Sequence, residues 1–324
     1  MTKITTKRKR ALLWPYIALL TLALTATGFW FMGAAQIKKS LHENPDINFS
    51  SLSVGGFPSQ YRIIMADYVF RLPQGNLSGD SLTATRMFYN FNHTIIWAEG
   101  GIQFDGQSGD RLTLTGEALQ ASHVMTKEGE DYFADARISV DLQKPRFAVR
   151  PAFAEGMNIT SEHIQFYSLP IEARQTRLLF DANNLAVTET DNQQILSLNK
   201  TIMEARLPAN RNSITLDAMK LDINLSAEER LGIQGNGQLG RNEQGYLDGT
   251  LNLTFENMTS VLRILQTNGL LTADQVAILS FALQLKTGSI TKGTSETDTF
   301  PLTLAFKQGR VFFGPLDIGP APKL

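Results

Sequence analysis

The sequence predicts a mainly β protein with an N-terminal transmembrane helix, a large curved antiparallel sheet that is groove-like or barrel-like, and a small αα-hairpin near the C-terminus. Three observations predict this class. An uncharged apolar run extends from Ala11 to Phe31. Apolar and polar residues then alternate with period two, in segments that turn residues break about every ten positions. A helical period returns only near residues 257–286.

The run from Ala11 to Phe31 is long enough to cross a bilayer, which takes about 20 apolar residues. Aromatic residues lie near both of its ends, as expected at the lipid headgroups, and the basic Lys7-Arg8-Lys9-Arg10 precedes it. The basic excess keeps the N-terminus in the cytoplasm. We therefore predict a cytoplasmic tail at residues 1–10, a signal-anchor helix at 11–35 and a periplasmic β-rich domain at 36–324, in a single-pass protein of the bacterial inner membrane.

Two alternatives compete with the uncleaved anchor. Gly33-Ala34-Ala35 offers a small-x-small site at which a signal peptide could be cleaved. The apolar core of a signal peptide is usually shorter, about 7–15 residues, which favours the anchor. A buried core helix is the second alternative, and the β-rich remainder of the chain argues against it.

The composition excludes several classes of function. The 324 residues carry a formal net charge of -1, which gives nucleic acid no electrostatic attraction. Cysteine is absent, which excludes disulfides, thiolate catalysis and cysteine-based zinc sites. A translocated domain without disulfides suits a bacterial periplasm better than eukaryotic secretion.

The segments after the apolar run follow in order. We expect the helix to continue through residues 36–43 and to end at Asn44-Pro45-Asp46, because proline disfavours helix at the residue before it. Gly55-Gly56-Phe57-Pro58 predicts a corner between strands. Turns are predicted at 106–110 and 181–184. The predicted strands are 47–54, 61–70, 94–104, 111–115, 136–142, 213–218, 220–225 and 249–255.

The helical island is predicted as two short helices. The first covers residues 259–265 and ends at Asn268-Gly269, and Thr272 is a candidate N-cap of the second. The apolar face of the second helix comprises Val276, Ile278, Leu279 and Leu283. We expect the hairpin to pack on the sheet or plug one end of it. A membrane-surface role is the alternative, and the scarcity of Lys and Arg argues against it.

The chain is predicted to end in a hairpin. A loop at 288–299 precedes two strands at 300–306 and 311–316, and the final Gly319-Pro320-Ala321-Pro322 is expected to end strand structure.

A search for catalytic or metal-binding motifs finds none. Residues 235–240 match the spelling G-x-G-x-x-G, but turn and strand residues follow where a dinucleotide site needs a helix. The four histidines, at positions 42, 93, 123 and 163, lack the spacing of a local metal site. We therefore predict no catalytic, cofactor-binding or metal residues, no cofactor, and a protein that is not an enzyme. A hydrolase of envelope material is the competing hypothesis, and it requires carboxylates or a histidine converging in a cleft.

Apolar binding is the remaining functional hypothesis. A curved antiparallel sheet beside a membrane can present an apolar face to acyl chains. The same side chains can equally fill a solid core, and periodicity does not separate the two.

The basic N-terminus, the single span, Val54-Gly55-Gly56-Phe57-Pro58 with Tyr61-Arg62-Ile63, and the terminal Gly309-Arg310-Val311 and Gly314-Pro315-Leu316 resemble a family of bacterial envelope proteins. That family is typical of alphaproteobacteria and contains a domain of unknown function. It is distantly similar to AsmA-like envelope proteins, which have an inner-membrane helix and a long β-groove. The resemblance implies a role in lipid handling or envelope homeostasis, with the membrane, a lipid ligand and envelope proteins as partners. The alternative is a periplasmic scaffold or assembly factor with a filled β core.

Overall fold

The structure is a computed structural model that describes residues 14–125, 136–152, 155–171, 175–190, 194–208, 212–224, 230–257, 262–263, 266–267, 272–278, 280, 299–314 and 316–323. The described chain is mainly β with antiparallel strand pairing and one N-terminal apolar helix, which confirms the predicted class. It divides into two compact units, residues 1–107 and residues 108–324. The predicted basic tail at 1–10 lies outside the described residues.

Unit 1 contains one helix and six strands. They are α1 Trp14–Glu43, β1 Ile47–Asn48, β2 Ser51–Gly55, β3 Gln60–Leu72, β4 Gly75–Met87, β5 Asn90–Glu99 and β6 Ile102–Gly106. The long β3 and β4 pair with each other. On the outer side of β3 lie β1 and β2, and on the outer side of β4 lie β5 and β6.

Unit 2 contains the other fourteen strands of the described chain. They are β7 Arg111–Thr115, β8 Ala118–Met125, β9 Ala136–Gln143, β10 Arg146–Arg150, β11 Met157–Thr160, β12 His163–Ile171, β13 Gln175–Glu189, β14 Gln194–Leu207, β15 Ser213–Asn224, β16 Arg230–Arg241, β17 Leu247–Glu256, β18 Thr299–Lys307, β19 Arg310–Phe313 and β20 Leu316–Pro320. From β12 to β20, with β11 beside β13, every strand pairs with the next one along the chain. Helical residues at 262–263, 266–267, 273–278 and 280 separate β17 from β18.

Helix α1 ends where the sequence predicts. It runs to Glu43, and the amide of Asp46 then donates to the side-chain oxygen of Asn44 at 3.0 Å, a turn typical of asparagine. Within the helix, threonine hydroxyls donate to carbonyls four residues earlier, as Thr21 does to Ile17 at 2.8 Å. These bonds satisfy the hydroxyls within the helix, as an apolar surrounding requires.

Several neighbouring strands of unit 2 bend at adjacent positions, and these positions form a line across the sheet. The breaks between β7 and β8, β9 and β10, and β11 and β12 are adjacent. The amide of Lys144 donates to the carbonyl of Glu162 at 2.8 Å, and the amide of Glu162 donates to that of Asn183 at 3.0 Å. Lys144 and Asn184 have positive φ angles of 45° and 50°. The hydrogen bonds between the breaks keep the ladder satisfied while the strands change direction.

This bend corrects one prediction. Residues 181–184 were expected to form a turn between strands, and the structure places them inside β13. Asparagine tolerates the left-handed conformation in bulges as well as in turns, so Asn184 gives the same local signal for both.

Four strand boundaries also differ from the prediction. The segment 47–54 is divided into β1 and β2, and 94–104 into β5 and β6, where Gly100 and Gly101 have φ angles of 80° and 108°. The segment 311–316 is divided into β19 and β20, and Gly314 between them has a φ angle of 59°. In contrast, 213–218 and 220–225 form the single strand β15, with a register shift between Leu216 and Met219. A bulge therefore replaces the predicted break.

The C-terminal residues give a further correction. Gly319 and Pro320 were expected to end strand structure, but both belong to β20, which pairs with β19. Proline is compatible with an edge strand, where its missing N–H faces away from the ladder.

The predicted N-cap of the second short helix is confirmed. Thr272 Oγ1 accepts a hydrogen bond from the amide of Gln275 at 3.3 Å, and Gln275 Oε1 accepts one from the amide of Thr272 at 2.8 Å. This reciprocal pair is a capping box. Of the predicted apolar face, Val276 packs on the core, whereas Ile278 is 68% exposed and does not belong to it. Leu279, Leu283, the predicted stop Asn268-Gly269 and most of the loop at 288–299 lie outside the described residues.

Candidate functional site

The sheet of unit 2 has one apolar face, which the strand register builds. Residues that face each other across neighbouring strands point to the same side. One row of such partners crosses β8, β9, β12, β13 and β14 and consists of Ala121, Val140, Phe166, Phe180 and Met203. At about 4.8 Å between strands, this row is about 19 Å long.

All five members of this row are at least partly accessible, and we call the four larger ones the exposed strip: Val140, Phe166, Phe180 and Met203. The first three are half-buried, and Met203 is 37% exposed. The next positions of the same face on one side of the strip hold Leu142, Ile164, Ala182 and Thr201, all of which are buried. On the other side Ser168 and Ala205 are buried, whereas Ile138 and Leu178 are half-buried. Most neighbours of the strip on this face are therefore more deeply buried than Met203.

The same face continues beyond β14 and is covered there. Met203 faces Met219 on β15, and Met219 packs against a core that we call the helix-covered cluster. This cluster comprises the buried residues Leu231, Leu253, Phe255, Leu262 and Phe313. Leu262 comes from the helical segment and is only 2% exposed, and Val276 of the same segment packs beside it. Part of the apolar face is thus a solid core, as one of the two hypotheses requires.

Two glycines of the G-x-G-x-x-G stretch allow close packing between β16 and β17 in the helix-covered cluster. Residues 235–240 lie inside β16, and strand β17 follows them where a dinucleotide site needs a helix. A Cβ on Gly237 would lie 2.1 Å from the carbonyl oxygen of Thr250, and one on Gly235 would lie 2.6 Å from Leu253 Cδ2. The missing side chains let the β17 leucines lean over β16.

The opposite face of unit 2 is polar, and ion pairs link its strands. Arg177 and Glu204 lie 2.6 Å apart, and Lys200 pairs with Asp181. Arg206 contacts both carboxylate oxygens of Asp217, and this hydrogen bonding lowers the pKa of Asp217 below its usual value. These side chains are one-quarter to one-half exposed, so each pair contributes modestly to stability.

One histidine of this face contacts a carboxylate. His163 Nε2 lies 3.2 Å from each oxygen of Asp141, and Gln165 donates to the same carboxylate at 3.0 Å. Ser161, two residues before the histidine, donates its hydroxyl to the carbonyl of Asn183 at 2.5 Å and lies 3.1 Å from that of His163. The Ser161 hydroxyl is therefore hydrogen-bonded to the backbone. Asp141, His163 and Gln165 form a polar network between neighbouring strands.

A cavity of about 320 Å³ lies on the polar face at β15, β16 and β17. Its lining combines two cations, Lys220 and Arg230, with two carboxylates, Asp222 and Glu256. Gln234 donates to Glu256 at 3.3 Å. The mixed charge gives neither an anion nor a cation an advantage there. Among the residues that the structure describes, no group of three His, Asp or Glu side chains could hold a metal ion.

The exposed strip was not singled out by the sequence. Alternation in 136–142 indicated that Val140 belongs to an apolar face, but Phe166, Phe180 and Met203 become its neighbours only through the register of four strands. Segment-by-segment periodicity carries no register information.

Unit 1 has a site of a different kind, where α1 meets its sheet. Trp30, Ala34 and Tyr61 form a buried cluster with exposures of 4%, 6% and 2%. The Trp30 and Tyr61 rings stack 5.4 Å apart, and Trp30 Nε1 donates to the carbonyl of Gln60 at 2.9 Å. A Cβ on Gly33 would lie 2.2 Å from the Tyr61 hydroxyl, so only glycine admits the ring there. The segment of α1 from Trp30 to Ala34 is thus part of the core of unit 1.

The fold and these sites define an antiparallel β protein with an N-terminal apolar helix. Of the described residues, only α1 forms a helix long and apolar enough to cross a membrane, and a signal sequence has the same properties. The chain belongs to the family described as "Uncharacterized protein conserved in bacteria (DUF2125)", whose sequence profile matches residues 34–322. The resemblance to a bacterial family of unknown function is thereby confirmed, while its alphaproteobacterial and AsmA-like parts stay predictions. No curated protein and no solved structure matches the chain.

Proposed function

We propose that this chain is a single-pass inner-membrane protein whose unit 2 binds acyl chains on the exposed strip, in envelope lipid handling or envelope homeostasis. The N-terminus is cytoplasmic and the bulk of the chain periplasmic. The observation that carries the proposal is the row of apolar side chains from Val140 to Met203 that stays partly accessible beside mostly buried neighbours. Accessible apolar rows of this kind mark ligand-binding or interaction surfaces.

The chemistry of the strip favours a hydrocarbon ligand. Its side chains offer methyl, thioether and ring surfaces, and the residues that flank it are mostly apolar. Fully burying one large apolar side chain contributes about 1.5–3 kcal/mol, so covering four side chains that are no more than 37% exposed contributes at most roughly 2–4 kcal/mol. A flexible acyl chain can follow the strip across β9, β12, β13 and β14 without presenting a polar group to it.

The helix–sheet cluster of unit 1 supports an uncleaved anchor. Cleavage at Gly33-Ala34-Ala35 would separate Trp30 from Tyr61 and remove Trp30 from the core. A segment destined for removal has no reason to supply core residues to the mature domain. The predicted resemblance to AsmA-like envelope proteins, which combine an inner-membrane helix with a long β-groove, is in line with the same function.

A non-enzymatic role fits the polar face. The carboxylate beside His163 belongs to a cross-strand network, and Ser161 is bonded to backbone carbonyls. We therefore assign the binding function to the apolar face and no reaction to the polar one.

Two adjacent residues of β14 provide a matched test. Met203 and Ile202 are both 37% exposed, but Met203 belongs to the strip, whereas Ile202 faces Asp181 and Lys220 on the polar side. We expect lipid to co-purify with the parent chain in native mass spectrometry. Met203→Glu removes that lipid because it places a charge against hydrocarbon, and Ile202→Glu retains it.

Absence of lipid from the parent chain, or equal lipid in both variants, would contradict the proposal. The helix-covered cluster favours a second candidate in that case, namely a scaffold with a filled β core. Crosslinking in cells would then capture one dominant envelope protein, and Met203→Glu would abolish that product while Ile202→Glu leaves it.

A further inference from the structure

Unit 1 carries an exposed aromatic patch beside Trp30 and Phe31 of α1. Phe57 lies in the turn between β2 and β3, and Tyr89 and Phe91 lie at the turn between β4 and β5. Their exposures are 49%, 77% and 49%. Large aromatic side chains so accessible on two neighbouring turns mark an interaction surface.

Ring contacts connect this patch to the helix. Phe57 stacks on Phe31 at 5.8 Å and meets Trp30 edge-on at 5.5 Å. Phe91 stacks with Tyr61 at 6.2 Å, and Tyr61 stacks on Trp30. Phe57 and Phe91 are therefore held at the level of Trp30 and Phe31 along the helix axis.

That level coincides with one end of the apolar span. From Trp14 to Phe31 the helix rises about 26 Å at 1.5 Å per residue, close to the roughly 30 Å of a hydrocarbon core. The residues of this stretch are mostly exposed, including Leu19, Leu22 and Leu24 at 69%, 70% and 64%. With Trp14 at one interface, Trp30 and Phe31 lie at the other.

We propose that the turns carrying Phe57, Tyr89 and Phe91 insert into the headgroup region of the bilayer that α1 spans, so that unit 1 contacts the membrane through three elements. This inference rests on the proposed anchor. Aromatic side chains partition to membrane interfaces because they combine an apolar ring with polarisable or polar edges. Arg86, whose guanidinium lies 5.3 Å from the Phe91 ring, adds a cation that suits lipid phosphates.

The absence of cysteine allows a direct test on the full chain. Single-cysteine variants carry a bimane fluorophore in nanodiscs of phosphatidylethanolamine and phosphatidylglycerol. The discs contain spin-labelled lipids that quench near the carbonyls or near the chain ends. Tyr89→Cys tests the patch, Leu22→Cys tests the span, and Gln74→Cys is the matched control. Gln74 is exposed at the turn between β3 and β4, at the opposite end of the same two strands.

We expect the carbonyl-level quencher to reduce the fluorescence of Tyr89→Cys and to leave that of Gln74→Cys unchanged, while the chain-end quencher reduces that of Leu22→Cys. Quenching at Leu22 without quenching at Tyr89 overturns the inference and leaves the anchor intact. Equal quenching at Tyr89 and Gln74 also overturns it, because unit 1 would then lie along the membrane. No quenching at Leu22 overturns the anchor, and the inference fails with it.

Discussion

The exposed strip and the helix-covered cluster are two parts of one apolar face with different degrees of burial. Both arise from strands with the same alternation, and Met203 faces Met219 where they meet. Yet Met203 is 37% exposed, whereas Phe255 in the cluster is 5% exposed. Leu262 and Val276 of the helical segment pack on the cluster. Alternation therefore defines an apolar face, and a separate segment that packs on it decides which part of that face becomes core.

We expect the same Phe→Ala substitution to lower stability more in the helix-covered cluster than in the exposed strip. Phe255→Ala, in the cluster, should lower the free energy of unfolding by about 3–5 kcal/mol because it leaves a cavity. Phe180→Ala, in the strip, should lower it by about 1–2 kcal/mol because the ring is only half-buried. Urea unfolding of the chain in detergent, followed by far-ultraviolet circular dichroism, measures both. Equal losses would mean that the strip is packed as tightly as the cluster.

A smaller loss of stability is expected at Gly237, where the close packing of β16 on β17 requires a residue without a side chain. Gly237→Ala should lower the free energy of unfolding by about 1–3 kcal/mol, since its Cβ would lie 2.1 Å from the Thr250 carbonyl oxygen. Gly240→Ala, in the same strand and the same G-x-G-x-x-G stretch, is the control, because its nearest contact is 3.3 Å. The same unfolding measurement applies. A variant at Gly237 no less stable than its control would show that β16 and β17 can separate enough to admit a Cβ beside the Thr250 carbonyl.

The smallest effect is expected on the polar face between the two regions. Arg206 of β14 and Asp217 of β15 form an ion pair there, with side chains 46% and 25% exposed. Asp217→Asn should lower stability at neutral pH by about 0.5 kcal/mol. Because the pKa of Asp217 is lowered in the folded chain, the contribution is present above the unfolded pKa and is lost as the pH falls through the folded pKa.

Unfolding curves of parent and variant at neutral pH and in strong acid check this sign. The difference between the two proteins should be present at neutral pH and disappear in acid. A difference that grows towards low pH would contradict the assignment of the lowered pKa to the Arg206 contact.

The strand segments were predictable where alternation was uninterrupted. The prediction of 61–70 recovered most of β3 because one face of that strand is apolar and buried, with Tyr61 and Met65 at 2% and 4% exposure. The bend at Asn184 was not predictable, since its sequence signal also fits a turn and only pairing with β12 and β14 distinguishes the two.

The sequence predicted that the candidate site is an apolar sheet face, but it did not predict which residues form it. An apolar sheet face was expected, and the choice between a groove and a filled core was left open. The structure contains a filled core beside a partly exposed row, because Leu262 and Val276 reach β16, β17 and β19 from a helical segment whose docking position local sequence does not encode. Ile278 illustrates the same limit, since helical periodicity placed it on the apolar face and it is 68% exposed.

The joint between Trp30, Gly33 and Tyr61 has a mechanical consequence. A helix fixed to its sheet by a stacked ring and a bond to the Gln60 carbonyl cannot swivel like a flexible tether. Membrane helices adjust their tilt when the bilayer becomes thicker or thinner. In the proposed anchored state, such a tilt turns the whole of unit 1 with the helix. The orientation of the unit 1 sheet relative to the membrane then changes with bilayer thickness.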